Sequence, residues 1–185
     1  MRSPWLAMNG RAFLDVDQFV RGRFAARADE PFVVFVIGMR INRIRSISKW
    51  TSTLRGLISM LRYLSRYPEK GLLDSKITVS WRGLTLIQYW RSFEDLEAFA
   101  RNANHPHISA WRQFNKTIGT EGSVGIWHES YLVEPGKFEA IYYKMPITGL
   151  SAATEHVPAV GRRETARRRL VGESEPAVPT PTAAD

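Results

Sequence analysis

The sequence predicts an α+β fold in which an antiparallel sheet carries its helices on one face. Three observations indicate this fold: a continuous apolar run at residues 32–39, an apolar period of three and four that begins at Ile47, and alternating runs at 77–81, 84–90 and 124–133. Periods of two and of 3.6 that follow one another along a chain predict strands and helices in succession.

The first strand is predicted at residues 32–39, which are β-branched and aromatic on both alternating faces. Two apolar faces are typical of a strand that is covered on both sides of its sheet. From residue 47 the apolar residues recur at three and four with basic residues opposite, which predicts a long amphipathic helix ending near Pro68. Its apolar stripe consists of Ile47, Trp50, Leu54, Leu57, Ile58, Leu61 and Leu64.

A hairpin is predicted next, since residues 77–81 alternate between apolar and polar and Gly83 reverses the chain into residues 84–90. Residues 124–133 predict a fourth strand, and residues 138–143 a short edge strand. With a helix before this fourth strand the order is βαββαβ. This order folds most simply as a ferredoxin-like antiparallel sheet with both helices on one face.

The second helix is predicted to start after Ser92, whose hydroxyl suits an N-cap and is followed by two carboxylates at the positive end of the helix dipole. Pro106 disfavours a helical conformation at the residue before it and suits a first helical turn. Two helical pieces are therefore expected, at 93–103 and 106–118, with His107 in the opening turn of the second piece.

The chain divides by composition into a lead-in at 1–31, a ferredoxin-like domain at 32–145 and an Ala/Pro/Arg tail at 146–185 that we expect to be disordered and solvated, including Arg167–Arg169. The sheet face opposite the helices must also be covered. Because the first strand is apolar on both sides, a second subunit is expected there, which gives a two-fold homodimer with a closed or nearly closed barrel. A small-molecule ligand is expected between the layers.

Composition excludes several classes of protein. Cysteine is absent, so disulfides, thiolate-ligated metals and thiolate nucleophiles are excluded. The net charge of +8 arises mostly at residues 40–70, where eight basic residues face one acid, but no nucleic-acid-binding motif accompanies this charge, and no nucleic acid partner is expected. The longest apolar run is too short for a membrane helix and no secretory signal is evident, so a cytoplasmic location is expected.

Four histidines are the candidates for chemistry. His105 and His107 flank Pro106, His128 lies in the middle of the fourth predicted strand, and His156 lies in the tail. An imidazole can ligate iron or move a proton near neutral pH. A histidine in the middle of a strand is also an ordinary core residue, and His105 is expected to be only a turn residue before the proline.

Two segments carry a resemblance to a known family: SFEDLEAFARNANHPH at residues 92–107 and GIWHESY at 125–131. FVIGMRIN at 35–42 and QYWRSF at 88–93 extend it over roughly residues 30–150. These segments resemble bacterial proteins called monooxygenase family proteins, which belong to the dimeric α+β barrel superfamily. The resemblance implies this fold, a homodimer and an enzyme that acts on a small organic substrate.

The same segments are more distantly similar to the haem-containing aldoxime dehydratases. In those enzymes an acidic helix leads into a His-Pro-x-His step, and a later strand carries His-Glu. The resemblance implies that His107 is the axial haem ligand and His128 the distal acid or base, and their separation of twenty-one residues agrees. The chain has one residue fewer in the step and lacks the segment that supplies a distal Ser and Arg. Ser130, Arg40 or Arg91 could replace them, although no motif assigns any of these.

Trp90 and Arg91 are the residues expected to contact a cofactor or orient a substrate. The aromatic wall of such a pocket could also include Trp111, Trp127, Phe93, Phe99 and Phe114, with packing in the core or at the dimer interface as the alternative for most of them. The basic face of the long helix could bind haem propionates or an acidic ligand, or could simply be solvated. Its members are Lys49, Arg55, Arg62 and Arg66.

Three functions stay open on the sequence. The first is a haem enzyme, a lyase or monooxygenase, with His107 on the iron and His128 on the distal side. The second is a cofactor-independent monooxygenase for an aromatic or quinol substrate, with His128 as base and Trp90 or Arg91 orienting the substrate. The third is a non-catalytic dimer that binds a small ligand.

Overall fold

The computed structural model describes residues 19–101 and 122–171 of the chain. These residues form two compact units. Residues 32–101 and 122–132 belong to the first, and residues 19–31 and 133–171 to the second. The strands and helices of the described residues are β1 (Arg23–Arg27), β2 (Phe32–Ile41), α1 (Ile47–Arg66), β3 (Leu72–Ser80), β4 (Gly83–Trp90), α2 (Phe93–Arg101), β5 (Val124–Val133), β6 (Ile141–Tyr143), α3 (Leu150–Ala153), β7 (Glu155–Pro158) and α4 (Ala166–Val171).

The first unit contains a four-stranded sheet in the order β3-β4-β2-β5. The strand β4 pairs antiparallel with both of its neighbours. In the pairing with β2, for example, Ile87 of β4 lies opposite Val36 of β2. At the other side of β2, Asn42 N donates to Ser123 O at 3.0 Å while Gly38 lies beside Trp127, so β5 also runs antiparallel to β2. This topology confirms the predicted ferredoxin-like α+β fold, and the elements from β2 to β5 follow the predicted βαββαβ order.

The helices cover one face of this sheet, and the strand period decides which side chains meet them. Odd-numbered residues of β2 and even-numbered residues of β4 share this helix face. They pack in two clusters. One contains Val33, Leu64, Trp90, Leu96 and Phe99, and the other contains Met39 and Val124 against Trp50, Leu54, Leu57, Leu84 and Ile126. The helix α1 therefore lies along the sheet and contributes to both clusters.

Two members of the stripe predicted for α1 do not pack. Ile47 and Ile58 are exposed, because each lies at the margin of the stripe, whereas Leu64 is buried. The end of α1 at Arg66 agrees with the prediction, and a short 3₁₀ helix at Pro68–Lys70 follows it.

The start of α2 is also as predicted, since Asp95 N donates to Ser92 Oγ at 3.1 Å. The described part of this helix extends to Arg101. The second helical piece, predicted at 106–118, lies outside the described residues.

Gly38 in β2 belongs to the face of the sheet that points away from the helices, and it makes room for Trp127 of β5. A Cβ atom at position 38 would lie 2.6 Å from Cε2 of the indole. A van der Waals contact between carbon atoms needs about 3.5 Å or more. The indole of Trp127 therefore crosses the β2 backbone at the residue that has no side chain.

The second unit contains residues from all three segments into which the sequence was divided. The lead-in at 1–31 contains β1, the middle strand of a three-stranded sheet in the order β6-β1-β7, while residues 1–18 lie outside the described residues. The edge strand predicted at 138–143 is β6, and it pairs with β1 instead of joining the main sheet. Residues 133–145 of the predicted domain therefore belong to the second compact unit.

The disordered tail predicted from residue 146 is wrong as far as residue 171. Its strand β7 pairs with β1, and Leu150, Ala153 and Ala159 are buried. The cluster predicted to be solvated includes Arg169, whose guanidinium pairs with Glu139 and also donates to the carbonyl of Arg163 at 2.7 Å. Its side chain is only 6% exposed. Residues 155–158 are ordered because they pair with β1, which is distant in the chain, and local amino-acid composition does not indicate such a pairing.

Candidate functional site

In one row across the helix face, burial decreases from β4 through β2 to β5. Gln88 of β4 is 1% exposed, Phe35 in the register position opposite it in β2 is half-buried, and His128 of β5 is exposed. The rings of Phe35 and His128 have centroids 5.5 Å apart. We call these three residues the central row. Its closed end is Gln88, which is buried, and its open end is His128, which is exposed to solvent. The Phe35 ring lies between them.

His128 lies on the predicted face of its strand. Val124 and Ile126 of the same parity pack against the helix-face cluster, and Ser130 follows on the same side and is exposed. Glu129 has the other parity. Its carboxylate accepts a hydrogen bond from the Tyr131 hydroxyl at 2.5 Å, and this bond raises the pKa of Tyr131. The sequence prediction that Glu129 does not orient His128 is consistent with this pairing.

Trp90, predicted as a residue that contacts a cofactor or substrate, is 0% exposed and belongs to the core. Its ring centroid lies 5.5 Å from that of Phe99, and its Nε1 donates to Gln88 Oε1 at 3.1 Å. Trp90 therefore packs in the core where both helices enclose the end of β4, and its contact with a cofactor or substrate stays a prediction. Trp90 is joined to the central row by its hydrogen bond to Gln88.

Arg91, the second residue predicted to hold a cofactor, is occupied by the protein itself. Its Nε donates to Asp95 Oδ2 at 2.7 Å, which raises the pKa of Arg91, and its Nη2 donates to the carbonyl of Glu69 at 3.2 Å. Its backbone N–H also donates to Gly71 O. These bonds fasten the start of α2 to the turn before β3, so Arg91 stabilises a junction.

Four of the remaining sequence candidates, His105, His107, Trp111 and Phe114, lie outside the described residues, so the predicted axial ligand remains a prediction. Trp127 has the opposite parity from His128, and Arg40 donates to Asn42 Oδ1 at 3.3 Å at the end of β2. The basic residues Arg55, Arg62 and Arg66 are exposed on α1. Their role toward an acidic ligand also stays a prediction.

His156 belongs to the second unit, where it stacks on Phe24 with a centroid distance of 4.3 Å. In the part of the chain that the structure describes, no group of three or more His, Asp or Glu side chains is placed to hold a metal ion. Among those same residues no helix has the length and apolar character to span a membrane.

Gln88 is the residue that the sequence reasoning missed. It stands at an apolar-face position of an alternating strand, between Leu86 and Trp90, where a hydrophobic residue is expected. Its side-chain Oε1 accepts from Trp90, but its Nε2 has no hydrogen-bond partner among the described residues. The sequence offered one indication of its role: Gln88 is a single polar residue among the even-numbered positions of β4, which face the core.

Comparison with known proteins identifies the family of this chain. The family model of the monooxygenase af470-like proteins matches residues 32–150. The chain belongs to this family, as its resemblance to monooxygenase family proteins predicted.

One relative and two solved structures show the range of similarity. The monooxygenase af470 of Aspergillus fumigatus is 32% identical over an alignment of 126 residues. The alignment covers 60% of this chain and only 42% of that relative. The cofactor-independent oxygenase SnoaB of Streptomyces nogalater is 14% identical over 58% of this chain and 95% of its own, with a TM-score of 0.37. A dimeric ferredoxin-like protein from an uncultured marine organism is 16% identical over 57% and 90%, with a TM-score of 0.41.

Proposed function

We propose that this chain is the substrate-binding part of a monooxygenase that oxidises a small aromatic molecule on the helix face of its sheet, with His128 as the base. One observation carries the proposal: His128 is exposed at the open end of a row whose next member is the Phe35 ring. An aromatic substrate can stack beside such a ring while its hydroxyl meets the imidazole. The family of the chain and the name of its fungal relative support the reaction class.

The reaction needs no reductant if the substrate is a phenol or quinol. With 1-naphthol, His128 accepts the hydroxyl proton, and the resulting naphtholate is electron-rich enough to reduce dioxygen at its ring carbon. A C–O bond forms at C4, the O–O bond breaks and the C4 hydrogen leaves as a proton. 1-Naphthol and O2 then become 1,4-naphthoquinone and water, so the substrate supplies all four electrons.

A haem-dependent reaction is the second candidate, and the separation between His107 and His128 favours it. Haem would supply an iron centre for oxygen or oxime chemistry. In that case His128 would hold or release a proton on the substrate side, and the Phe35 ring would pack beside the substrate.

Oxygen uptake with 1-naphthol tests the proposal. The purified chain is expected to consume one O2 per quinone formed, with one labelled oxygen atom entering the quinone when the gas is ¹⁸O2. His128→Gln is expected to lower kcat by about 10²- to 10⁴-fold, as is usual when a general base is removed. Because His128 is exposed, this change leaves the fold intact, which circular dichroism checks.

Tyr131→Phe is the matched control, since Tyr131 lies on the same strand with the opposite parity and should keep full activity. Full activity in His128→Gln would contradict the role of the base. Absorbance separates the candidates: a Soret band after addition of haem, lost in His107→Ala and required for oxygen uptake, would replace the proposal by the haem reaction. Binding of 1-naphthol without any oxygen uptake would leave only a ligand-binding protein.

A further inference from the structure

The Gln88 side chain is an amide held in one orientation in the interior. Gln88 is 1% exposed and Trp90 is 0% exposed. The indole Nε1–H donates to Gln88 Oε1 at 3.1 Å. Because an indole N–H only donates, it must face the oxygen of the amide and thereby turns the Nε2 end away from itself.

The Nε2 end has no hydrogen-bond partner within the described ranges 19–101 and 122–171. A buried donor without a partner costs about 1–3 kcal/mol, and native proteins leave few such groups. An apolar residue of similar size at position 88 would avoid this cost. A molecule that binds beside the amide and offers an acceptor would remove this cost.

The position of Gln88 indicates what this ligand is. Gln88 lies directly across from Phe35 in the register of β4 and β2, and Phe35 lies beside His128. Adjacent strands are about 4.8 Å apart, so the backbones of β4 and β5 are separated by roughly 10 Å in this row. A ligand that stacks beside Phe35 with one end at His128 directs its other end toward Gln88. The Nε2 hydrogens can only donate, so this other end must carry an acceptor.

We propose that Gln88 is a substrate-binding residue that donates a hydrogen bond to an oxygen atom of the substrate at the closed end of the central row. The inference rests on the proposed function in placing the substrate on this face, and it narrows the substrate class. The substrate is an aromatic phenol with a second oxygen, a carbonyl, ether or hydroxyl, on the side of the ring system remote from the reacting hydroxyl. Trp90 is then a positioning residue that fixes the amide.

A pair of probes of the same shape tests this assignment under nitrogen, where no turnover occurs. 5-Methoxy-1-naphthol offers an ether oxygen that only accepts, and 5-ethyl-1-naphthol has a methylene group in its place. The natural chain is expected to bind the methoxy compound about tenfold more tightly, the value of one good hydrogen bond of about 1.4 kcal/mol. The side-chain amide resonance of Gln88 should shift on addition of the methoxy compound only.

Two variants remove the donor in different ways. Gln88→Met has a similar volume with no donor, and Gln88→Leu replaces the amide by a smaller apolar side chain with no donor. Both are expected to bind the two probes equally. Thr85→Val, on the opposite face of β4, is the control and should keep the tenfold preference. Thermal unfolding shows that each variant folds.

Equal binding of the two probes by the natural chain, or a retained preference in both Gln88 variants, would overturn the inference. Its failure is distinct from failure of the proposed function. Oxygen uptake that depends on His128 with no effect of Gln88 refutes the inference alone. A preference that depends on Gln88 with no oxygen uptake supports it and refutes the proposed reaction.

Discussion

His156 has an unusual environment at the residue scale, since both nitrogens of its imidazole are buried. Its ring stacks on Phe24 at an interplanar angle of 15°, and Tyr142 lies 6.0 Å away between centroids. Neither ring nitrogen has a hydrogen-bond partner in the part of the chain that the structure describes. Burial lowers the pKa of His156, since the charged form would lose its hydration without gaining an acceptor. The folded second unit therefore holds this histidine neutral.

The stability of the protein should then depend on pH. The unfolded chain binds a proton at His156 below about pH 6.5, whereas the folded chain resists protonation, so the free energy of unfolding falls as the pH drops through this value. Above it the histidine contributes no pH dependence. Urea unfolding between pH 7.5 and 5 is expected to show this loss in the natural chain and a smaller loss in His156→Phe.

The control for His156→Phe is His128→Gln, which removes an exposed histidine from the first unit. It should keep the decrease in stability at acidic pH. An unchanged pH profile in His156→Phe would show that other groups cause the decrease.

The sequence predicted the position of His128 on its strand but did not predict a role for Gln88. The face of His128 followed from the strand period alone, because alternation fixes parity once the strand is identified. The importance of Gln88 did not follow, since a glutamine in an alternating strand has ordinary explanations. Its meaning came from its burial and from the indole that occupies only one end of its amide.

At the scale of elements, the start of α2 combines a cap and an ion pair. Ser92 Oγ accepts from Asp95 N, and the Asp95 carboxylate accepts from Arg91 Nε. The cap satisfies one of the free N–H groups of the first turn, and the carboxylate faces the positive end of the helix dipole. This junction places Leu96 and Phe99 against Trp90.

Ser92→Ala is expected to destabilise the protein by about 1 kcal/mol, the usual cost of a lost N-cap. Urea unfolding should show a lower midpoint with an unchanged slope. Ser92→Asn, which keeps a side-chain acceptor, is the control and should unfold close to the natural protein. A decrease of the same size in Ser92→Asn would mean that packing, and not the capping bond, is responsible.

The elements of the first unit were predictable because each carries its own local signal. A Ser before two acids, a proline after an amphipathic helix and a glycine between alternating runs all act within a few residues. The elements β1, β6 and β7 were missed or assigned to the wrong sheet. Each is short, at most five residues, and is ordered by partners far away in the chain.

At the scale of the whole molecule, the sheet has a second face that carries apolar side chains. Trp127 is 42% exposed and Tyr131 51% exposed on this face. Its central strands contribute Val34, Val36, Ile87 and Tyr89. A homodimer in which two copies of this face pack together is the predicted partner arrangement, since it removes this apolar surface from water.

Sedimentation tests the dimer. The natural chain should sediment with about twice its mass of 21.1 kDa. Val36→Lys places a charge at the centre of the proposed interface and is expected to weaken association by more than about tenfold, because a buried ammonium group needs a partner. Ser59→Lys on the exposed side of α1 is the control and should remain dimeric. A monomeric natural chain would refute the arrangement.

The sequence by itself determined the ferredoxin-like sheet, the bounds of α1 and β5, the family and the face on which His128 lies. The sheet, the element bounds and the face of His128 depend on periodicity and on local caps, which are properties of neighbouring residues. The family followed from the resemblance carried by residues 92–107 and 125–131. Only the tertiary structure decided that Trp90 is core, that Arg91 fastens a junction, that residues 150–171 are ordered and that Gln88 Nε2 lacks a partner among the residues described. Burial and hydrogen-bond partners are set by residues distant in the chain, so no local pattern could report them.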